Sequence, residues 1–102
     1  MKSREVVYTA TARGDLVRIL HWLAENASIS SAVEIIFDIE NFIERLDVAS
    51  ERGRRRDDIS PGLRMIAYKK ADIAVLVDED QVLITRIFYA GENWEAALRP
   101  PP

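Results

Sequence analysis

Residues 63–89 read LRMIAYKKADIAVLVDEDQVLITRIFY, and they set the architecture. Three short runs rich in β-branched and aliphatic residues, Leu63 to Tyr68, Ile73 to Val77 and Val82 to Tyr89, have the composition of strands. Lys69-Lys70-Ala71-Asp72 and Asp78-Glu79-Asp80-Gln81 separate them and are polar connectors of hairpin length. Links this short make the runs an antiparallel meander. The third run is too continuously apolar for a strand with one face in water, so it is expected to be central and covered on both sides. Arg86 interrupts it, and a charge there must be paired or reach a rim.

Upstream, residues 49 to 62, ASERGRRRDDISPG, have no apolar period and contain Gly53, Pro61 and Gly62, the marks of a charged loop. Before that loop the period is helical. Leu16, Ile19, Leu20, Leu23 and Ala27 form one apolar stripe from Asp15 onward, about three turns long. Thr11 and Asp15 offer capping oxygens or favourable charge at its start, while Gly14 weakens the first turn. Asn26-Ala27-Ser28 breaks the run. Ser31 and Glu34 have the spacing of a capping box for a second helix of about four turns. Ala32, Ile36, Ile39, Ile43 and Leu46 form its stripe, widened by Val33, Ile35, Phe37 and Phe42.

Two helices with so short a link make an antiparallel hairpin. Glu5-Val6-Val7-Tyr8-Thr9 suits an entry strand, and the tail from Gly91 offers one helical turn around Trp94 and Leu98 before Pro100, Pro101 and Pro102. The fold class expected is α+β: a short N-terminal strand, then an antiparallel helical hairpin packed on a three-stranded antiparallel meander. Residues 1–102 are expected to form one domain, since no repeat or linker divides them.

The chain has no cysteine and one histidine, which removes disulfides, thiolate zinc sites and cysteine nucleophiles. His21, beside Trp22 and without a second histidine or carboxylate at ligand spacing, reads as a surface or boundary residue. No P-loop, dinucleotide fingerprint, metal-binding set or nucleophile elbow is present, so neither metal nor cofactor is expected. Residues 1 to 12 lack the apolar stretch of a secretory signal and no run approaches a membrane span, so a cytoplasmic protein is expected.

The formal charge of −3 conceals an uneven distribution: residues 1–50 carry 5 positive and 8 negative charges, residues 51–102 carry 9 of each. Arg52, Arg54, Arg55 and Arg56 crowd into five positions. Guanidinium groups bind phosphate or carboxylate bidentately, so the cluster suits a nucleic-acid backbone or an acidic protein segment; alternatively it pairs with Glu51, Asp57 and Asp58 beside it. Arg64 and Arg86 each stand in an apolar strand, and either extend that positive surface or are structural arginines tied to a carboxylate such as Asp57. Val17, Trp22, Ile35 and Phe37 fall outside the main helical stripes, and are covered either by the protein's own elements or by a partner.

The order strand, helical hairpin, arginine loop and meander, with Gly53-Arg54-Arg55-Arg56-Asp57-Asp58-Ile59 followed by Pro61-Gly62-Leu63-Arg64, resembles the ParE branch of the RelE/ParE toxin superfamily. Ala12-Arg13-Gly14-Asp15-Leu16 with Ile19, and the ending Ile84-Thr85-Arg86-Ile87-Phe88-Tyr89, match the same pattern, and the likeness covers nearly the whole chain. It implies a small toxin neutralised by a cognate antitoxin whose C-terminal segment wraps the helical hairpin and sheet, giving Val17, Trp22 and Phe37 an apolar partner.

The resemblance also implies one of two activities. ParE-like members poison DNA gyrase by binding; RelE-like members cut mRNA on the ribosome without metal. In the RelE-like case Arg64 and Arg86 would stabilise charge and Arg54 or Arg56 would hold phosphate. The stretch Ala90-Gly91-Glu92-Asn93-Trp94-Glu95-Ala96 departs from that pattern, because acidic residues stand where such enzymes carry basic groups and a late tyrosine. A gyrase-directed toxin is therefore favoured, with no catalytic residues and with Arg54, Arg56, Arg64, Arg86, Tyr89 and Trp94 as target- or partner-binding residues. A homologue that binds antitoxin without toxicity is the third reading. Neither membrane association nor sequence-specific nucleic-acid binding is expected.

Alanine at Arg64 or Arg86 tells the two roles apart in a denaturation and binding experiment. Weakened partner binding with an unchanged unfolding midpoint marks a surface arginine, and a large loss of stability marks a buried structural pair.

Overall fold

The computed structural model describes residues 3–48 and 51–99. Strand β1 (Glu5–Tyr8) leads into helices α1 (Ala10–Asn26) and α2 (Ile29–Glu44), and a 3-10 turn at Arg45–Asp47 closes α2. A two-residue strand β2 (Arg54–Arg55) precedes the meander β3 (Leu63–Tyr68), β4 (Ala71–Val77) and β5 (Gln81–Tyr89), and a short helix α3 (Trp94–Leu98) follows. The sheet order is β1-β5-β4-β3-β2, with β1 parallel to β5 and the other pairs antiparallel. The α+β architecture read from the sequence is the one observed. No described helix is long and apolar enough to cross a membrane.

Both helix starts differ from the expected caps. Thr9, one residue before α1, accepts from the Ala12 amide at 3.0 Å, so neither Thr11 nor Asp15 caps. Ser28 rather than Ser31 caps α2, its hydroxyl accepting from the Ser31 amide at 3.0 Å. In each case a residue with extended backbone caps from nearer the preceding element, Thr9 two residues before Thr11 and Ser28 three before Ser31, because apolar spacing marks only where a helix begins to bury a face.

The helices cover one face of the sheet. Leu16, Ile19 and Leu23 of α1 and Ile39, Phe42 and Ile43 of α2 pack on Ile66, Ile73, Val75, Val82, Ile84 and Ile87. At about 25 cal/mol per Å² of apolar surface, this is the main favourable term in folding. Phe42 stacks on Tyr68 with ring centroids 4.1 Å apart, and the Tyr68 hydroxyl donates to Asp38 at 2.8 Å, fastening α2 to the end of β3. The opposite face carries a second, smaller cluster absent from the sequence reading: Leu63, Met65, Ala74 and Phe88, with Ile59, Leu76, Trp94 and Leu98 packed over them.

β5 is covered on both faces as expected, although β4 is the middle strand. A β-bulge makes the double coverage possible. Val75 pairs with Ile84 while Ala74 pairs with Arg86, leaving Thr85 as the extra residue. Ile84 and Ile87 therefore both face the helices despite being three apart, and Phe88 faces the other side.

β1 pairs only with residues 81–84, so the second half of β5 would be an open edge. Side chains close it. The Thr9 hydroxyl donates to the Thr85 carbonyl at 2.9 Å, the Ile87 amide donates to Asp15 at 2.9 Å, Arg18 donates to the Ile87 carbonyl at 3.3 Å, and the Tyr89 amide donates to Glu92 at 2.8 Å. Asp15, 4% exposed, stands in for a missing strand.

Arg86 donates to both oxygens of Asp15 at 2.8 and 3.2 Å, and Arg18 to one of them at 3.3 Å. Burial alone would raise the carboxyl pKa. The hydrogen bonds from Arg86 and the Ile87 amide outweigh it and hold the group below the usual carboxylate range. Asp15→Ala leaves an orphaned amide and a part-buried guanidinium, so urea unfolding is expected to show a loss of about 3 kcal/mol. Arg86→Ala should lose a large part of the same amount, whereas Arg64→Ala removes only a field felt by Asp57, a half-exposed carboxylate that keeps its bonds to another arginine, and should leave the midpoint nearly unchanged.

Candidate binding surfaces

The arginine loop is pressed onto the sheet at Gly53. Its φ is +87°, and a Cβ there would stand 2.5 Å from the Met65 carbonyl oxygen, so only glycine allows this approach. Arg54 and Arg55 then pair with Met65 and Arg64 as β2, inside what the sequence presented as a featureless loop. Residues 49 and 50 lie outside the described residues.

Strand alternation divides the arginines. Arg54 shares the face of Met65 and Ala74, away from the helices, and Arg56 lies over the Trp94 ring on that same side, 5.3 Å from its centroid. Arg64 pairs across β4 with Val75 and so points to the helix side, as does Arg55 opposite it. Arg86 is drawn to the β5 edge by Asp15, with its guanidinium 4.9 Å from the Phe88 centroid. Arg64 and Arg86 therefore do not extend the loop's positive surface together, and the carboxylate that ties Arg86 is Asp15 rather than Asp57.

Most of these cations are also neutralised. Arg55 makes two bonds of 3.0 Å to Asp57, which also accepts from the Gly62 amide. Arg56, its side chain only 14% exposed, makes two bonds of 2.8 Å to Asp58 and one of 2.9 Å to Glu95. Arg99 reaches Asp58 at 3.2 Å, and Arg52 lies 5.3 Å from the Phe42 ring centroid. Among the described residues the Arg54 and Arg64 side chains make neither a hydrogen bond nor a close ion pair, although, after the hydrogen bond from Arg55, the charge of Arg64 helps lower the Asp57 carboxyl pKa. Glu51, a partner expected for the loop, instead bonds Arg4 at 3.3 Å.

The apolar candidates divide as well. Val17 on α1 and Val33 and Phe37 on α2 are exposed on the side of the hairpin turned from the sheet, Phe37 by 62%. Trp22, five residues from Val17, projects about 140° away around α1. It meets Tyr89 edge-on at 6.2 Å, and with Arg18, Ile19, Gly91 and Glu92 these two rings line a cleft of about 370 Å³. A larger cleft of about 470 Å³ lies on the far face of the sheet between Arg54, Met65, Ala67, Asp72 and Trp94. Among the described residues no group of three His, Asp or Glu side chains is placed to hold a metal ion.

Asp15, Glu92 and Gly53 form these surfaces without a sequence motif that marks them. The only local signal for Asp15 was a carboxylate beside the apolar stripe of α1, and its partner Arg86 is 71 residues away. Glu92 and Glu95 were seen only as an acidic departure, whereas they are the counter-ions of Arg18 and Arg56.

Hydrogen bonds from Arg55 to Asp57, and from Arg56 to Asp58 and Glu95, hold these three carboxyls below their usual range, while burial pushes Asp72 up. The first three therefore contribute stability that is full above the unfolded pKa of about 4 and is lost as pH falls through their folded values. Asp72 has the opposite sign: its contribution is full below that unfolded value and is lost as pH rises through its folded one. A carboxyl-carbon NMR titration should find the three below their unfolded midpoints and Asp72 above, and a downward shift of Asp72 would contradict the placement of its side chain.

Comparison with known proteins gives a consistent result. A family model described as the ParE toxin of the type II toxin-antitoxin system, parDE, matches residues 6–94. Toxin ParE3 of Caulobacter vibrioides is 31% identical over 93 residues, covering 91% of this chain and 93% of that protein. Among solved structures, the chromosomal ParDE toxin-antitoxin system of P. aeruginosa matches with a TM-score of 0.75 at 20% identity, covering 85% of this chain and 96% of its own. The RelBE2 toxin-antitoxin complex of Mycobacterium tuberculosis matches with a TM-score of 0.63 at 19% identity, covering 87% and 93%. A buried Asp15–Arg86 lock, an arginine loop folded onto the sheet and a hairpin with an apolar outer face are thus features of a chain that belongs to the ParE toxin family of type II toxin-antitoxin systems.

Proposed function

We propose that this chain acts in the cytoplasm, as one toxin domain, by binding DNA gyrase, and that a cognate antitoxin neutralises it by seating an apolar segment on the outer face of the helical hairpin. The division of the arginines carries the choice of binding over cleavage. Stabilising a phosphoryl-transfer transition state requires cations converging on one group of oxygens. Here Arg54 and Arg64 point to opposite faces, Arg86 is held by Asp15, and Arg56 is held by Asp58 and Glu95.

Two observations support the antitoxin's place. Val17, Val33 and Phe37, together with Ile29 at the start of α2, are large apolar side chains left in solvent on the helical hairpin. An amphipathic helix offering residues at i, i+3 and i+4 fits such a surface. The solved relatives with this fold are themselves described as toxin-antitoxin assemblies. Gyrase as the target comes from the family to which the chain belongs. Arg54, Arg56, Arg64, Arg86, Tyr89 and Trp94 are proposed contributors to target or partner binding, Arg54 and Arg64 by direct contact and Arg56 and Arg86 by shaping the surface around them.

Purified chain freed of its partner should inhibit gyrase supercoiling and leave mRNA intact on translating ribosomes; the reverse pattern would establish RNA cleavage, and no effect on growth when the chain is induced would favour a non-toxic homologue. Val17→Glu with Phe37→Glu should weaken the complex with the product of the neighbouring reading frame at least about tenfold, about 1.4 kcal/mol, with the unfolding midpoint unchanged. Retained affinity would move the antitoxin to another surface.

A further inference from the structure

The segment after β5 lies over the far face of the sheet yet is held there mainly by charge. α3 is five residues long and has no buried residue. It is reached through Ala90 and Gly91, both with positive φ, +55° and +80°, a tight reversal at the end of β5. Glu92 is fixed to Arg18 at 2.6 Å, Glu95 to Arg56 at 2.9 Å, and Arg99 to Asp58 at 3.2 Å.

The apolar seat beneath is only partly filled. Trp94 and Leu98 rest on Met65, Ala74 and Phe88, and the cleft of about 470 Å³ extends beneath Trp94 toward Asp72. A second hollow, along Lys69, Lys70 and Asp72, reaches Ala90 and Gly91. Ordering a segment costs backbone entropy at every residue, and half-buried contacts with solvent-exposed ion pairs offset it weakly.

We propose that residues 91–99 form an ion-pair-held lid that closes the far face of the sheet and opens as ionic strength rises. Closed, it covers Met65 and Phe88 and keeps Glu95 and the Trp94 ring on Arg56. Open, it uncovers an apolar strip and releases Arg56 from Glu95 on the face that already carries Arg54. The lid is thus an autoinhibitory contact for that face. Its three fastenings join side chains that are mostly 38–52% exposed, with Arg56 the exception, so salt screens them, whereas the Asp15 lock on the other side of β5 is buried and is screened far less.

The chain has two tryptophans, so Trp22→Phe leaves Trp94 as the reporter. Quenching of its fluorescence by neutral acrylamide, with hydrogen-exchange mass spectrometry of the full chain, is measured at about 0.1 M and about 1 M NaCl, where the Debye length falls from about 10 to about 3 Å. The expected result is at least about a twofold rise in quenching at high salt, faster exchange at residues 91–99 and at the Tyr89 amide that Glu92 holds, and unchanged exchange in β4 and in β5 up to Phe88. Glu92→Gln with Glu95→Gln should reach the high-salt value already at low salt, since glutamine keeps an acceptor for the Tyr89 amide and removes the charges. Quenching that is the same at both salts overturns the lid, and so does a rise accompanied by faster exchange in β4 and in β5 before Tyr89. If the double variant does not fold, the salt series on the Trp22→Phe chain decides alone.

Discussion

One carboxylate holds the two halves of this molecule together. Asp15 is carried by the first helix, yet its partners, the Arg86 guanidinium and the Ile87 amide, lie in the last strand. Without it the Ile87 amide would be left open beyond the point where β1 stops, and α1 would be tied to β5 only by the longer bond from Arg18 to the Ile87 carbonyl. Burying a charge is unfavourable unless every oxygen is used. Here both oxygens are used, by two arginines and a peptide N–H, and the depressed carboxyl pKa expresses that balance.

The same lock shapes what the surface offers a partner. Because Arg86 is taken up at the edge, and because β2 alternates, the positive charges do not gather. Arg55 and Arg56 end paired with Asp57, Asp58 and Glu95, and the Arg54 and Arg64 side chains stand on opposite faces without a hydrogen-bonded carboxylate. Such a distribution suits recognition by shape and apolar contact with charge at the rim.

The meander and the hairpin were legible in the sequence because each rests on short-range pattern. Leu63–Tyr68 matches its strand residue for residue, and Val82 to Tyr89 falls within β5. Helix starts were less legible, since Thr9 and Ser28 act through one hydroxyl each and leave no periodic trace. β2 escaped because two residues are too few for alternation. The site was legible in composition and not in geometry. Arg54, Arg56, Arg64 and Arg86 stand out in sequence, but their faces depend on a glycine contact, on a register and on an aspartate 71 residues away from Arg86. Trp22 and Phe37 were grouped as outward-facing, and only the placement of Tyr89 beside Trp22 shows that they serve different surfaces.

The pairing of β1 with β5 also sets a clock on synthesis. Val6 and Val7 have no strand partner until Val82 and Leu83 have been made, 76 residues later, and the Thr9 hydroxyl that caps α1 meets its second partner, the Thr85 carbonyl, only then. At about 5–20 residues per second the ribosome needs about 4–15 s to cover that distance. During that interval the residues of the helical hairpin have been made and those of the sheet have not, so the inner apolar stripes have no strands to pack on. A partner of the kind proposed above, seated on the hairpin, would find its residues made before those of the sheet on which they pack.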